Sequence, residues 1–474
     1  MLKEGQNISE EALRWVNRNK GFQVKEKSFY DSPRISSEIA DCSMCLTFDQ
    51  YSYCSLGCLY CFAYFFKSNN PSIKDEVGLK KIKLSTLIST MQGTATNKTL
   101  KVFYENFYRK KFVLHWGGLG DPFCNFEKSN ATGYDLIDEL GKMNYPTLFS
   151  LKGATILNKK YIQLFEKYAH QRNFAFQFSI INADAELARK IEIGVPSPQK
   201  RLEAMKIFSD MGYWTILRLR PFIIGVSDLS LDKLLEDSYS AGMKAISTEF
   251  LALDVRANVG MKERYTWIAE VMGVKGGAQG LHEYFKRLSP SSRGGYMRLN
   301  RLIKEPYIKK MYKFCLDHDI HFACSDPDYK ELNMSGSCCG MPENYQKNQG
   351  LNNWTKSQLT EHFRLARKEF HKTGKIKELT FDSVYSPQEK YLDENCLAGS
   401  HPCNIGMSMG ERNSSTHRKI LNETWNNTNS PANPYNYFHG KLIPVRLDKE
   451  NIVFKYSPSE YEERWAKEGI DLTK

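Results

Sequence analysis

Short apolar runs alternate with stretches of helical spacing along the first half of the chain. LTFDQY (46–51), FVLHWGG (112–118), TLFSLK (147–152), FAFQFSII (174–181), WTILRLRPFI (214–223) and AISTEF (245–250) read as strands. The near-continuous apolar character of the fourth suits a parallel sheet covered on both faces. Between them, YDLIDELGKM (134–143), NKKYIQLFEKY (158–168), SPQKRLEAMKIFSDMG (197–212) and SLDKLLEDSYSAG (230–242) carry the spacing of a helix with one apolar face. Ser197, Pro198 and Gly212 act as cap, first-turn proline and stop of the third of these, and Gly242 stops the fourth. Strand–helix repeats in this order predict an α/β fold, a partial parallel (β/α)6 barrel. A doubly wound sheet is the alternative, but the chain has no P-loop and no complete G-x-G-x-x-G after a strand.

This pattern divides the chain into an N-terminal extension (1–45), the barrel (46–255) and a C-terminal region (256–474) for substrate binding or an auxiliary metal. Glu10–Arg18 has a short helical reading, and SPSSRGG (289–295) is a loop and boundary. EPYIKKMYKFCLDHDI (305–320) is an amphipathic helix. FRLARKEFHKTGKIK (363–377), read as a helix, gathers Arg364, Arg367, Lys368, Lys372, Lys375 and Lys377 on a basic face, either solvated or contacting phosphates. NYFHGKLIPVRLDKENIVFKY (436–456) reads as a hairpin turning at Asp448–Asn451, and the tail that follows starts as a short helix.

Composition narrows the class. The 474 residues are 41% hydrophobic, too apolar for a disordered chain, and their net charge of +12 permits an anionic partner without naming one. No apolar run reaches the roughly 18–20 residues that span a bilayer, so no membrane partner is expected. The opening MLKEGQNISEEALRWVNRNK shows no apolar signal core, so a cytoplasmic protein is expected. In that reducing compartment the 12 cysteines are expected to bind metal, do chemistry or fill the core rather than form disulfides.

Five of those cysteines crowd into DCSMCLTFDQYSYCSLGCLYCFAYFF. Cys54, Cys58 and Cys61 form C-x3-C-x2-C, with Gly57 easing the turn, and can wrap one metal centre. Zinc is one occupant, with Cys42 or Cys45 as fourth ligand. An iron–sulfur cluster is the other, and with three protein thiolates it leaves one iron open. Tyr60 before the last cysteine, and Phe62, Tyr64, Phe65 and Phe66 after it, would wall such a cluster from water.

The cysteine triplet with its aromatic resembles the radical S-adenosylmethionine enzymes. That resemblance implies a [4Fe–4S] cluster on Cys54, Cys58 and Cys61, S-adenosylmethionine on the open iron, reductive cleavage to a 5′-deoxyadenosyl radical, a partial barrel of that family's type, and an external electron donor such as flavodoxin or ferredoxin. The loop follows the first strand, on the face where barrel enzymes build their sites. YSYCSLGCLYCFAYF, GGLGDPFCNFE, FSLK, VPSPQKRLEAMKIFSDMG and LRPFIIG together resemble one branch, the spore photoproduct lyase-like proteins, over about residues 46–255. The resemblance implies that Gly117, Gly118 and Asp121 meet the methionyl amino group and that Lys152 and Ser179, at the third and fourth strand ends, contact the cofactor. Asn182 and Arg218 are further candidates, and Tyr60 belongs to the same site. Alternation puts Arg218 and Arg220 on one strand face, the barrel interior, and Glu249 ends the sixth strand.

One position departs from the branch. Its hydrogen-donor cysteine stands three residues before the Asp-Pro aspartate, where this chain has Gly118; Cys124 lies three residues after Asp121 and is either a substitute donor or a buried structural thiol. The resemblance therefore does not extend to thymine-dimer repair. The expected substrate is nucleic acid, with a peptide or small metabolite as the rival, and a non-catalytic zinc-binding nucleic-acid protein as the alternative outside enzymes. Cys324, Cys338, Cys339, Cys396 and Cys403, with His401 nearby, either hold a second cluster or zinc or remain reduced thiols.

Overall fold

A computed structural model describes residues 34–35, 42–44, 46–52, 54–63, 80–255, 259–288, 292–293, 295–341, 358–385 and 417–474. Seven strands run parallel in one sheet: β1 (Leu46–Phe48), β2 (Leu114–Trp116), β3 (Thr147–Leu151), β4 (Phe174–Ser179), β5 (Trp214–Phe222), β6 (Ala245–Phe250) and β7 (His321–Cys324). Their spatial order is their chain order, with Arg34–Ile35 as an antiparallel edge beside β1. An order that never reverses is singly wound; a doubly wound sheet would reverse at a switch point.

The α/β fold and its six expected strands are present, and β7 extends the sheet beyond residue 255. The helices Thr132–Lys142, Lys159–Tyr168, Pro198–Asp210 and Leu231–Ser240 lie where their patterns place them, and the Ser197 hydroxyl caps the third by accepting from the Lys200 amide at 3.3 Å.

Strand alternation separates an aromatic outer face from a polar inner one. Phe149, Phe174, Phe176 and Phe178 point outward and meet Phe165 and Phe208 from the covering helices; Phe149 and Phe176 stack with centroids 5.3 Å apart, and Phe208 lies 4.4 Å from Phe176. Inside, Val113, Leu148, Ala175, Ile216 and Ala245 form the lowest level with Met44, Cys339 and Met341. The segment Ser335–Met341 closes this floor: Gln177 Nε2 donates to the Cys339 carbonyl (2.7 Å), Trp214 Nε1 to Gly340 (2.9 Å) and the Ser247 hydroxyl to Cys338 (3.1 Å). Above it come His115, Ser150, Gln177, Arg218 and Ser247, then Lys152, Ser179, Arg220 and Glu249 at the C-terminal mouth.

The C-terminal residues build a second core from Leu359, Phe363, Trp425, Phe438, Phe454 and Tyr456. The hairpin pairs Leu442–Asp448 with Asn451–Tyr456, and the tail helix Glu460–Lys467 carries a Ser459–Glu462 capping box. The amphipathic helix spans Arg301–Asp317.

The basic helix needs correction. It spans Gln358–Thr373, so Lys375 and Lys377 lie beyond its end. Arg367 is wholly buried and donates to the Lys474 carbonyl (2.7 Å), and Arg364 is drawn onto Glu361 at 2.9 Å. The period that gathers cations on one side of this segment also carries Phe363, Ala366 and Arg367 into the core. The helical reading at Glu10–Arg18, most of 289–295, and Cys45, Tyr64, Phe65, Phe66, Cys396, His401 and Cys403 lie outside the described residues.

Candidate functional site

The cysteine loop is anchored where it leaves β1. Asp49 accepts from the backbone amides of Leu119 (3.0 Å) and Gly120 (2.7 Å), drawing the glycine loop after β2 over the end of β1. Gln50 accepts from Trp116 Nε1 (2.7 Å) and donates to the Pro122 carbonyl (2.6 Å). The Tyr51 hydroxyl donates to Glu127 (2.6 Å), a buried carboxylate that also accepts from Tyr161 and from the Gly133 amide (2.8 Å). Burial raises the Glu127 carboxyl above its ordinary range. The Ser55 hydroxyl accepts from the Asn125 amide (2.9 Å), tying the loop to the helix Asn125–Asn130.

Cys54, Cys58 and Cys61 share a small apolar cluster with Tyr51, Leu56, Tyr60, Cys124 and Phe126. Gly57–Cys58 is extended and pairs antiparallel with Glu192–Ile193, and Arg264 Nη1 donates to the Cys58 carbonyl (2.7 Å). Burial pushes the Cys58 thiol up to about 12, against the pull of Lys152. The Cys54 thiol donates a hydrogen bond to the Cys124 sulfur, and that hydrogen bond, with burial, holds its pKa well above the usual thiol range. Phe62 stands half exposed at the rim.

Three thiols on one short loop are the donor chemistry of an iron–sulfur centre, and a metal must displace their protons to bind. Among the described residues no three His, Cys, Asp or Glu side chains are placed to hold a single metal ion. A cubane takes its thiolates at separate corner irons, more widely spaced than the ligands of one ion. By donor chemistry and apolar packing the cysteines fit such a cluster.

Glu192 joins these parts. It is fully buried and meets Arg201 Nη2 at 2.7 Å and Lys152 Nζ at 3.1 Å, and it accepts from the Tyr60 hydroxyl. Arg201 Nη1 in turn donates to the Ser179 carbonyl (2.6 Å), and Lys152 Nζ lies 5.3 Å from the Tyr60 ring centroid. Burial alone would raise the Glu192 carboxyl; Arg201 and Lys152 outweigh it and hold it at about 2. The cysteine loop, Lys152 after β3 and Ser179 ending β4 therefore converge on one carboxylate.

The other candidates are placed as follows. Gly117 has φ +104°, and a Cβ there would stand 2.3 Å from the Ser150 carbonyl oxygen, so only glycine fits. Gly118 follows in the same loop, half-buried. Asp121 turns toward the β3 loop and accepts from the amides of Phe123 (2.8 Å), Gly153 (3.0 Å) and Lys152; burial still raises its carboxyl. Asn182 is enclosed, donating to the Val226 carbonyl and accepting from the Asp184 amide (2.6 Å). Arg218 lies inside the barrel, as alternation requires, donating to Ser150 (3.1 Å) and Gln177 (2.8 Å). His115 Nε2 meets the same Ser150 hydroxyl at 2.7 Å. Cys124 is buried against Cys54 at the start of its helix.

The cysteines considered for a second metal site are divided. Cys324 packs in the large core with Phe322, whereas Cys338 and Cys339 sit at the barrel floor with Cys42.

Sequence reasoning missed Glu192, Arg201, Arg264, Asp49, His115 and Gln177. The last two carry a usable signal: each is a polar residue at inward parity among apolar neighbours in its strand. Glu192 and Arg201 carry none, because their meeting depends on how a loop and a helix pack.

No protein-family model and no curated protein matches the chain. Solved structures do. A spore photoproduct lyase complexed with dinucleoside spore photoproduct aligns at 14% identity and TM-score 0.46, covering 67% of this chain and 86% of that one. A doubly substituted form of that lyase, with bound AdoMet and dinucleoside spore photoproduct, aligns at 13% identity and TM-score 0.47, covering 66% and 84%. SuiB of Streptococcus suis, bound to S-adenosylmethionine, aligns at 12% identity and TM-score 0.32, covering 61% and 53%.

Proposed function

We propose that the chain is a radical S-adenosylmethionine enzyme of the spore photoproduct lyase-like branch. The observation that carries this is the three-thiol loop at the C-terminal end of β1, joined through Glu192 to the ends of β3 and β4. Cys54, Cys58 and Cys61 would hold the [4Fe–4S] cluster. When bound, that cluster supplies one electron to S-adenosylmethionine and so a 5′-deoxyadenosyl radical.

The chain's own residues bind, orient and exclude. Gly117 and Gly118 let the backbone approach the cofactor, with Asp121 bracing their loop against β3. Lys152, aimed by Glu192 across Tyr60, presents its ammonium at the mouth for a carboxylate. Ser179 stands at the end of β4, its carbonyl fixed by Arg201, with Asn182 beyond it and Arg218 one level deeper in the barrel. The Ser335–Met341 floor closes the other end of the barrel to water. Cys124, beside Cys54, is the thiol best placed to exchange a hydrogen atom near the cysteines. Residues 46–255, extended by β7 and the Ser335–Met341 floor, form the catalytic barrel, with 1–45 an extension and the rest of 256–474 the region for substrate binding. An external donor such as flavodoxin or ferredoxin supplies the electron, and the setting is cytoplasmic.

Nucleic acid is the substrate proposed first, supported by the net charge of +12. A peptide or small metabolite is the second reading, favoured by the withdrawal of Arg364 and Arg367 from the surface. A salt-dependent shift with DNA or RNA decides between them: its presence supports nucleic acid and its absence the second reading. Anaerobically reconstituted protein should be brown and contain iron and sulfide. Colourless protein containing zinc would overturn the enzyme assignment.

A further inference from the structure

The mouth of the barrel is two-sided. The cysteine loop, the glycine loop, Lys152 and Ser179 all belong to β1–β4. The side formed by β5, β6 and β7 carries a separate group of charges. Arg220 on β5 is paired with Glu249 on β6, and Ser325, just after β7, donates to the same carboxylate at 2.8 Å. Arg298 comes from Tyr296–Arg298, which pairs with Ala252–Asp254 directly after β6, and so brings a further positive charge to the Glu249 end of the sheet. Arg218 lies one inward position below Arg220. Two guanidinium groups, Arg220 and Arg298, thus stand against one carboxylate, 2 − 1 = +1, inside a wall where charge is costly unless balanced. Arg220 and Glu249 are both accessible from the interior, with side chains 14% and 27% exposed. The β1–β4 side has its own group of charges, Glu192 with Lys152 and Arg201.

We infer that the β5–β7 side is an oxyanion subsite, in which Arg220 and Arg298 take a phosphate or carboxylate group of the substrate and Glu249 competes with that group for the guanidinium forks. Arginine's planar fork suits both groups. The inference deepens the proposed function and rests on the barrel interior being the substrate chamber. It supplies what the basic helix does not: a place where an anionic substrate is recognised. A phosphate ligand would fit a nucleotide-type substrate and a carboxylate ligand a peptide or small acid.

The test is calorimetric titration of the full-length chain, purified without cluster or cofactor, with inorganic phosphate and separately with acetate. Wild type should bind at least one of the two, and which one it binds names the source of the oxyanion. Arg298→Gln should weaken that binding at least tenfold. Glu249→Gln should tighten it, because the competing carboxylate is gone; a merely structural Glu249 would give unchanged or weaker binding. Circular dichroism of each variant reports folding, and should one arginine variant unfold, the Glu249→Gln titration decides. Absence of both phosphate and acetate binding in wild type, or Glu249→Gln binding no tighter than wild type, overturns the subsite. The titration needs neither iron nor S-adenosylmethionine, so oxyanion binding without cofactor cleavage would overturn the enzyme assignment alone.

Discussion

Glu192 is a buried carboxylate whose charge the fold needs. Its value of about 2 lies below the ordinary 4.5, so folding favours the ionised form. That contribution is complete above pH 4.5 and is lost as the pH falls toward 2. A depression of this size corresponds to about 3 kcal/mol. Glu192→Gln should cost about 3 kcal/mol in urea unfolding near neutral pH, because Arg201 and Lys152 are left buried and unpaired. The variant should also lose less stability than wild type on acidification; an acid slope equal to that of wild type would show that Glu192 is not the titrating group. Gly117 poses a steric version of the same constraint. Gly117→Ala should destabilise by about 2 kcal/mol or more, since its Cβ cannot be accommodated against the Ser150 carbonyl without moving backbone. A thermal midpoint unchanged in Gly117→Ala would contradict the close approach of β2 and β3.

At the scale of elements, most strands and helices were legible because period and punctuation agree. Pro198 and Gly212 bracket their helix, and AISTEF is β6 residue for residue. β7 was not legible: its four residues follow a long helix and depend on pairing with β6. The hairpin at 442–456 was readable from alternation, and its turn carries an uncommon choice. Lys449 and Glu450 both adopt positive φ, 46° and 69°, in a two-residue turn that ordinarily takes Asn-Gly. Glu450→Gly should therefore raise stability by about 0.5–1 kcal/mol, read as a higher thermal midpoint. A lowered midpoint would mean that the Glu450 side chain contributes more than its backbone costs. The basic helix shows the opposite lesson. Helical period alone cannot say that an arginine faces the core, and Arg367 does so through a contact with the far terminus of the chain.

For the whole molecule, the site was legible as a list of residues and only partly as an arrangement. The cysteine spacing and the polar strand ends are local in sequence. Their junction is not: Tyr60, Lys152, Glu192 and Arg201 come from four separate segments, and the carboxylate that organises them lies in a short strand between helices. The same fold leaves the β5–β7 side of the mouth to a second set of charges, and in the function proposed above one side serves the cofactor and the other the substrate. We propose that the cysteine loop supports reductive cleavage of S-adenosylmethionine. The direct measurement is 5′-deoxyadenosine released after anaerobic reconstitution with iron and sulfide and reduction with dithionite. Wild-type protein should form it, and Cys58→Ala, folded as judged by circular dichroism, should form none; fully clustered wild-type protein that releases no 5′-deoxyadenosine, or a Cys58→Ala variant that releases as much as wild type, would show that the loop does not carry this chemistry.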